Sequence, residues 1–373
     1  MPEASAARIS HGLSLDKGTL LRLAFPWLRP AGCPSVALRH PSPRIGAPVV
    51  KSALRPSLSA LTIAVVGVLA LASCASTEAA EPAATTASTV TIEDNHGSIE
   101  VPVNPERLVA LDNTTFQTLS DWGVEVVAAP KPLMYDLWPS LVGDDVLDVG
   151  LHREPDIEAI VEADPDLIIG GYRFSEIYAD LTAIQPATIE INARDGEDHA
   201  SELKRQVAIL GQIFDRDDEA QQIADDFDAA IADAKAAYNG TDSVIGLITS
   251  GGEIAYAAPG DGRGVGTLFP TLDLVPAIEQ AAEDTSHGDD ISVEAIAAAN
   301  PEWLVVLDRD GAFNEEGYVP AKELIEGSEA LANVPAVQKG QVVYLDPNFY
   351  LDESIQAYTA LYAAVAEAFG AAK

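Results

Sequence analysis

From residue 107 to the carboxyl terminus, short apolar runs alternate with helix-forming segments, and this alternation is the strongest constraint on the fold. The runs have the length of single strands, and the segments between them carry apolar residues at helical spacing. Such alternation predicts parallel strands joined by crossover helices. A long amphipathic helix over 218–238 separates two series of these units. The sequence therefore predicts an α/β protein of two lobes with a long helix between them.

Each predicted element is defined by its apolar pattern. The strands are predicted at 108–111, 124–128, 167–169, 188–191, 244–248, 254–257, 304–307 and 342–345. The helices are predicted at 116–122, 157–163, 176–184, 199–214, 218–238, 264–272, 292–299, 321–326 and 352–369.

An internal repeat relates the two predicted lobes. Residues 157–173 align with residues 293–309 at a constant offset, and each copy reads as helix, Pro turn, strand and arginine. The paired identities are Glu158 with Glu294, Ala159 with Ala295, Ile160 with Ile296, Ala163 with Ala299, Pro165 with Pro301 and Arg173 with Arg309. Residues 75–373 contain only 8 arginines, so a shared final arginine favours two related lobes.

Arg173 and Arg309 each follow a predicted strand, and in open α/β sheets ligands bind beyond the carboxyl ends of the strands. If the lobes face each other, both guanidinium groups point into one cleft. They repel each other there unless an anion or a carboxylate lies between them. Two interpretations stay open: an anionic ligand, or structural salt bridges to Asp308 and Asp310, which flank Arg309.

Charge and missing motifs exclude several classes of function. The formal net charge of −36 argues against nucleic acid and anionic lipid as partners. The sequence has no G-x-S-x-G elbow, P-loop, H-E-x-x-H or C-x-x-C motif, and its histidines are dispersed. We therefore expect a binding protein without a cofactor and not an enzyme. The alternatives of another class are a lipid-anchored hydrolase, which needs a nucleophile with a base, and an adhesin.

The amino-terminal region has the layout of a secretory signal. Basic Lys51 and Arg55 precede an apolar stretch over 58–72, which ends in Leu71-Ala72-Ser73-Cys74. This ending resembles the bacterial lipobox, so we predict a signal peptide over 51–74 and lipidation of Cys74. Residues 75–90 are rich in Ala, Thr, Ser and Pro and are predicted to be a flexible tether. Residues 1–50 are interpreted as an extension before the true start codon.

From about residue 90 onward, the chain resembles the helical-backbone binding proteins of bacterial iron-siderophore importers, in particular the catecholate branch. The resemblance rests on several stretches, which are residues 91–97, 101–107, 165–169, 286–288, 300–304, 306–309 and 344–347. It implies a first lobe at 91–215, a rigid linking helix at 216–240 and a second lobe at 241–373, with the ligand cleft between the lobes.

The resemblance also implies a binding site. Its arginine triplet around an anionic chelate falls on Arg173, Arg263 and Arg309, and guanidinium groups suit such a ligand because they stay charged and donate in a planar fork. With a tetradentate siderophore, His287 and Tyr350 are expected to complete the coordination of the ferric iron, which the chelate carries. Tyr344 is an alternative to Tyr350, because the spacing around 346–351 is one residue shorter than usual.

The expected partner is an ABC permease on the extracytoplasmic face of the cell membrane, to which the lipid anchor would hold the protein. The resemblance implies one acidic docking residue per lobe, and these fall on Glu158 and Glu294. Because helical glutamates are commonly just solvent-exposed, that simpler interpretation stays open. A binder of haem or of another metal chelate is the alternative within the same class.

Overall fold

The computed structural model describes residues 88–134, 137–313 and 317–373, and it contains two main sheets connected by a long helix. The predicted extension and signal peptide lie outside the described residues, as does the predicted tether up to residue 87. Among the described residues, no helix is long and apolar enough to cross a membrane.

The first lobe is built on a parallel sheet of five strands in the order β5-β4-β3-β8-β9. Its two central strands, β3 and β8, are buried along their whole length, as expected for a parallel sheet covered on both faces. The strands of this lobe are β1 (Thr89–Asp94), β2 (Gly97–Pro102), β3 (Leu108–Ala110), β4 (Ala128–Ala129), β5 (Leu147–Asp148), β6 (Gly150–Leu151), β7 (Glu154–Pro155), β8 (Leu167–Ile169) and β9 (Thr188–Ile189).

Helices cover this sheet, and side-chain caps fix where three of them begin. Asp112, Asp156 and Asp198 each accept a hydrogen bond from a backbone N–H in the first turn of the following helix. The helices are α1 (Asn113–Asp121), α2 (Lys131–Met134), α3 (Ile157–Glu162), α4 (Tyr178–Ile184) and α5 (His199–Phe214), with 3-10 turns at Pro139–Leu141 and Tyr172–Ile177.

Helix α6 (Asp217–Ala237) leads from the first lobe to the second. Its 21 residues give it a length of roughly 30 Å. Phe227 and Ala234 on its apolar face are fully buried in the core of the second lobe. The linking helix is therefore fixed to the second lobe by its own hydrophobic face.

The second lobe contains a six-stranded sheet in the order β13-β11-β10-β14-β15, with β12 paired to β10. Strands β10, β14 and β15 are parallel, while β11 runs antiparallel to β10. The strands are β10 (Ser243–Ser250), β11 (Glu253–Ala257), β12 (Val275–Pro276), β13 (Asp289–Asp290), β14 (Trp303–Asp308) and β15 (Val342–Tyr344). The helices are α7 (Leu268–Leu272), α8 (Val293–Ala299), α9 (Ala321–Glu326), α10 (Pro335–Lys339), α11 (Phe349–Asp352) and α12 (Ile355–Ala371), with a 3-10 turn at Asp310–Ala312.

The antiparallel strand departs from the predicted series of parallel strands. Gly251 and Gly252 connect β10 to β11 and have φ angles of 60° and 77°. Two consecutive residues with positive φ form the tight turn of a β-hairpin, and only an antiparallel pair can be joined by so short a connection. The predicted strand at 124–128 is also wrong in extent, because β4 covers only Ala128–Ala129.

The two copies of the repeat have the same local structure. Helix α3 is capped by Asp156 and helix α8 by Ser292, at equivalent positions. Asp164 and Asn300 then turn the chain through left-handed conformations, with φ angles of 45° and 52°, before each proline. Short polar residues tolerate this conformation best. The repeat is therefore one structural unit, and in each lobe it ends just beyond the carboxyl end of a central strand.

Candidate functional site

Arg173 and Arg309 lie where the sequence predicted, just beyond the carboxyl ends of β8 and β14. Arg263 comes from the loop between β11 and α7 and is flanked by two glycines. A Cβ atom on Gly262 would lie 2.6 Å from the backbone nitrogen of Ala258, so only glycine fits against the backbone there. The tight loop explains why the arginine stands in a Gly-rich run.

Arg263 is bound to the carboxylate of Glu353. Its Nε donates to Oε1 of Glu353 at 2.9 Å, and a terminal nitrogen donates to Oε2. The same terminal nitrogen donates to the hydroxyl of Tyr172 at 2.9 Å and to the carbonyl of Tyr350 at 3.1 Å. The two charged side chains are 9% and 11% exposed. Burial is the largest single influence on the pKa of Arg263 and would lower it, but the charge and hydrogen bond of Glu353 together with Tyr172 and Tyr350 raise that pKa above its ordinary value.

Arg173 approaches the same carboxylate from the first lobe. Its Nε donates to Oδ1 of Asn113 at 3.0 Å, and a terminal nitrogen lies 3.9 Å from Oε2 of Glu353. That terminal nitrogen is buried and has no hydrogen-bond partner among the described residues. Tyr172, next to Arg173, donates its hydroxyl to Glu353 at 3.0 Å. Glu353 therefore connects the two lobes.

Arg309 is held by residues of its own lobe. One terminal nitrogen donates at 3.2 Å to Ser250 and also at 3.2 Å to Asp310. Its Nε is buried and, within the described part of the chain, has no hydrogen-bond partner. Asp308 does not pair with Arg309 but accepts bonds from Tyr318 and from the backbone of Ala321. Of the two flanking aspartates, the structure thus places only Asp310 on the arginine.

Tyr350 connects Arg263 and Arg309. Its ring is buried, and the two guanidinium carbons lie 4.0 Å and 5.1 Å from the ring centre, at cation–π distance. Tyr344 lies elsewhere, on β15, where it lines a separate cavity of about 370 Å³ and burial raises its pKa to about 12. The structure therefore brings Tyr350, and not Tyr344, next to the arginines.

His287 is not part of this group. Its side chain is 47% exposed, and its Nδ1 lies 3.4 Å from a carboxylate oxygen of Asp284. Its loop does reach the site, because the backbone N–H of Arg263 donates to the carbonyl of Thr285 at 2.9 Å. No contact found among the described residues joins the His287 ring to the three arginines, and the same part of the chain holds no group of three or more His, Cys, Asp or Glu arranged for a metal ion.

Three residues of the site were missed by the sequence analysis: Asn113, Tyr172 and Glu353. Asn113 also donates to the carbonyl of Leu351 at 3.0 Å, which ties α1 to α11. Its position three residues after β3, near the edge where the arginines were expected, was a usable signal. No sequence pattern indicated Glu353. It reaches the site because its backbone is left-handed, with a φ angle of 52°, and a glutamate in the sequence does not reveal that conformation.

A cavity of about 480 Å³ adjoins the site and shares Tyr172 and Glu353 with it. Its other lining residues include Thr114, Glu190 and His199, and burial lowers the pKa of His199. Beneath it, Asp112 is fully buried as the cap of α1, and burial raises the pKa of Asp112 to about 7.

The two predicted docking residues lie in helices α3 and α8, outside the group of arginines. Glu158 and Glu294 are exposed, and each occupies the second position of its helix, as the repeat predicted. Trp303 begins β14 and packs its ring edge-on against Phe369, with the ring centres 4.7 Å apart. It stands at the opposite end of the strand from Arg309, roughly 20 Å away along the chain.

The fold and this site define the class of protein. Residues 108–349 match the periplasmic binding protein family, and the chain belongs to that family. The resemblance and the two-lobed α/β fold inferred from the sequence are thereby confirmed.

The chain is also similar in sequence to individual binding proteins. The chain is 30% identical over 291 residues to the petrobactin-binding protein YclQ of Bacillus subtilis, covering 77% of this chain and 90% of that protein. It is 25% identical over 260 residues to the ferric-anguibactin-binding protein FatB of Vibrio anguillarum, covering 69% and 80%.

Solved structures agree with the fold. The crystal structure of YclQ superposes with a TM-score of 0.66 at 28% identity, over 76% of this chain and 99% of that one. A TroA-like periplasmic binding protein from Xylanimonas cellulosilytica gives a TM-score of 0.66 at 27% identity, over 77% and 99%. All of these similar proteins are named as binding proteins.

Proposed function

We propose that this protein captures a ferric siderophore of the catecholate type outside the cytoplasm and delivers it to an ABC importer. The observation that carries the proposal is the convergence of Arg173, Arg263 and Arg309 around Tyr350 and Glu353 at the meeting of the two lobes. Two of these arginines retain a buried donor without a partner among the described residues. Unpaired buried donors with positive charge are costly unless an anion binds them.

The chemistry of the arginines favours a catecholate chelate. Three catecholates on ferric iron leave an excess of negative charge on a compact shell of oxygens, and planar guanidinium groups donate to such oxygens in pairs. The names of the relatives YclQ and FatB describe siderophore binding by those proteins, which supports the same ligand class here. A binder that hands over an intact chelate needs no covalent chemistry and no cofactor of its own.

The proposal also includes direct coordination of the iron by side chains of the protein. With a tetradentate siderophore, we propose that Tyr350 and His287 supply the remaining ligands. Tyr350 stands among the arginines, which supports its share. His287 would have to leave Asp284 and turn toward the site, and its exposure leaves that movement open.

Attachment and docking complete the proposal. Lipidation at Cys74 would hold the protein at the membrane surface, and Glu158 and Glu294 would dock it on the permease. The equal positions of the two glutamates in α3 and α8 support a pseudo-symmetric docking surface. Charge pairs at such a surface set orientation more than affinity.

Isothermal titration calorimetry of residues 88–373 tests the proposal. The panel contains a trianionic ferric tris-catecholate, a ferric bis-catecholate, a neutral ferric trihydroxamate and haem. We expect the two catecholates to bind most tightly. Preferential binding of haem or of the neutral complex would contradict the proposed ligand class.

A further inference from the structure

Glu353 is a negative charge placed inside a site proposed to bind an anion. We infer that Glu353 competes with the ligand for Arg263, so that an anionic chelate must displace this carboxylate to engage all three arginines. The inference rests on the proposed function and adds to it a residue that sets how much negative charge a ligand needs.

The hydrogen bonds of Arg263 are the first support. The Nε and one terminal nitrogen of Arg263 are directed at Glu353, and that terminal nitrogen is shared with Tyr172 and Tyr350. A chelate oxygen that approaches these nitrogens meets an occupied donor fork. Arg173 and Arg309 differ, since each keeps a buried nitrogen without a hydrogen bond among the described residues. The site thus offers two arginines that each keep an unbonded buried donor, and one arginine whose Nε and one terminal nitrogen are already occupied.

The charge of the whole group is the second support. Three guanidinium groups face two carboxylates, Glu353 and Asp310, in contacts of 3.9 Å or less. A ligand with a single negative charge gains little by replacing a carboxylate that is already bound at both oxygens. A trianionic chelate brings more charge than the carboxylate it displaces, so the exchange favours it.

The position of Glu353 makes the exchange possible. It ends the four-residue helix α11 in a left-handed conformation, which long side chains adopt at a cost, so its carboxylate is held mainly by its partners. One of those partners, Tyr172, belongs to the first lobe, and Arg263 belongs to the second. Displacement of Glu353 therefore also breaks a link between the lobes, which couples ligand entry to lobe movement.

The test compares the wild-type protein with Glu353→Gln, using a trianionic ferric tris-catecholate and calorimetry at several salt concentrations. We expect the variant to bind about tenfold more tightly, the factor that corresponds to 1.4 kcal/mol. Its affinity should also fall more steeply with salt, because the site gains one unit of positive charge. A residue that merely supports the fold would not change the salt dependence. Glu302→Gln is the control, since Glu302 is also ion-paired, with Lys339, but lies before β14.

A second variant covers the case in which Glu353→Gln fails to fold because Arg263 is left without its partner. Glu353→Asp keeps the charge, withdraws the carboxylate by about 1.5 Å and suits the left-handed conformation. The shorter side chain should weaken the contact with Arg263 without removing its charge. We therefore expect binding about threefold tighter than wild type, which is less than the tenfold gain expected for Glu353→Gln.

The outcomes distinguish the inferred competition by Glu353 from the proposed binding of a ferric siderophore. If wild type binds the catecholate but a folded Glu353→Gln or Glu353→Asp binds it equally or more weakly, the inference is wrong and the proposed function stands. If wild type binds no ferric siderophore, both are wrong. Tighter binding with a steeper salt dependence supports the competition.

Discussion

Replacing Arg309 with alanine should weaken ligand binding without harming the fold. The Nε of Arg309 is buried and has no hydrogen-bond partner in the described part of the chain, so the binding of an anion would satisfy a donor that is now unpaired. A hydrogen bond to a charged group contributes about 1.5 to 3 kcal/mol. Arg309→Ala should therefore raise the dissociation constant roughly tenfold to hundredfold.

The effect on stability should be much smaller. Arg309 pairs with Asp310 at 3.2 Å, and their side chains are 27% and 23% exposed. A partly exposed ion pair of this kind contributes about 1 kcal/mol or less. The midpoint of thermal unfolding should consequently move by only a few degrees. Calorimetric titration with a ferric tris-catecholate, together with thermal unfolding of the same samples, measures both quantities.

Arg216→Ala provides a matched control, because Arg216 forms a comparable ion pair with Glu219 at the start of α6. It removes the same positive charge from the chain, away from the arginine cluster. A dissociation constant for Arg309→Ala that stays within twofold of the Arg216→Ala value would refute the proposed role of Arg309. Equal loss in both variants would mean that only net charge matters.

Three further predictions concern other parts of the protein. Tyr350→Phe should abolish a phenolate-to-iron charge-transfer band seen with tetradentate but not hexadentate catecholates, while loss of the band in Tyr344→Phe instead would reassign the ligand. Glu158→Lys with Glu294→Lys should stop uptake in cells and leave siderophore binding by the purified protein unchanged; normal uptake would place docking elsewhere. Burial raises the pKa of Asp112 in the folded state from 3.8 to about 7. Because the folded state holds this proton more tightly than the unfolded state, stability should decline as the pH rises from about 4 to about 7. Asp112→Asn should flatten that decline in unfolding midpoints, and an unchanged profile would contradict the burial argument.

Elements with a strong local pattern were predictable from the sequence. Helix α5 has the bounds predicted for it, 199–214, because its apolar face repeats at helical spacing behind the cap Asp198. Strand β8 was likewise predicted at its observed bounds. The positions of Arg173 and Arg309 followed from these strands, since a residue just after a parallel strand has to lie at the carboxyl edge of the sheet.

The interior of the site depends on contacts that no local pattern records. Glu353 pairs with Arg263 across 90 residues of sequence, and it does so only because α11 stops after four residues in a left-handed turn. The hairpin of β10 and β11, in contrast, was recorded in the sequence. The glycines at 251 and 252 were visible, and a connection this short excludes a parallel pair, so the general alternation of strands and helices was given too much weight there.

The three arginines differ in how the fold supplies them. Arg173 and Arg309 come from the two copies of the repeat, so each lobe delivers one cation to the cleft by the same helix, turn and strand. Arg263 comes from a loop outside the repeat, and the fold supplies Glu353 as its partner. Arg173 and Arg309 each keep one buried nitrogen without a hydrogen bond among the described residues, while the Nε and one terminal nitrogen of Arg263 are bound to Glu353. Because Arg309 is held by Ser250 and Asp310 and not by Glu353, a change at Glu353 can alter the charge of the site while Arg309 stays in place.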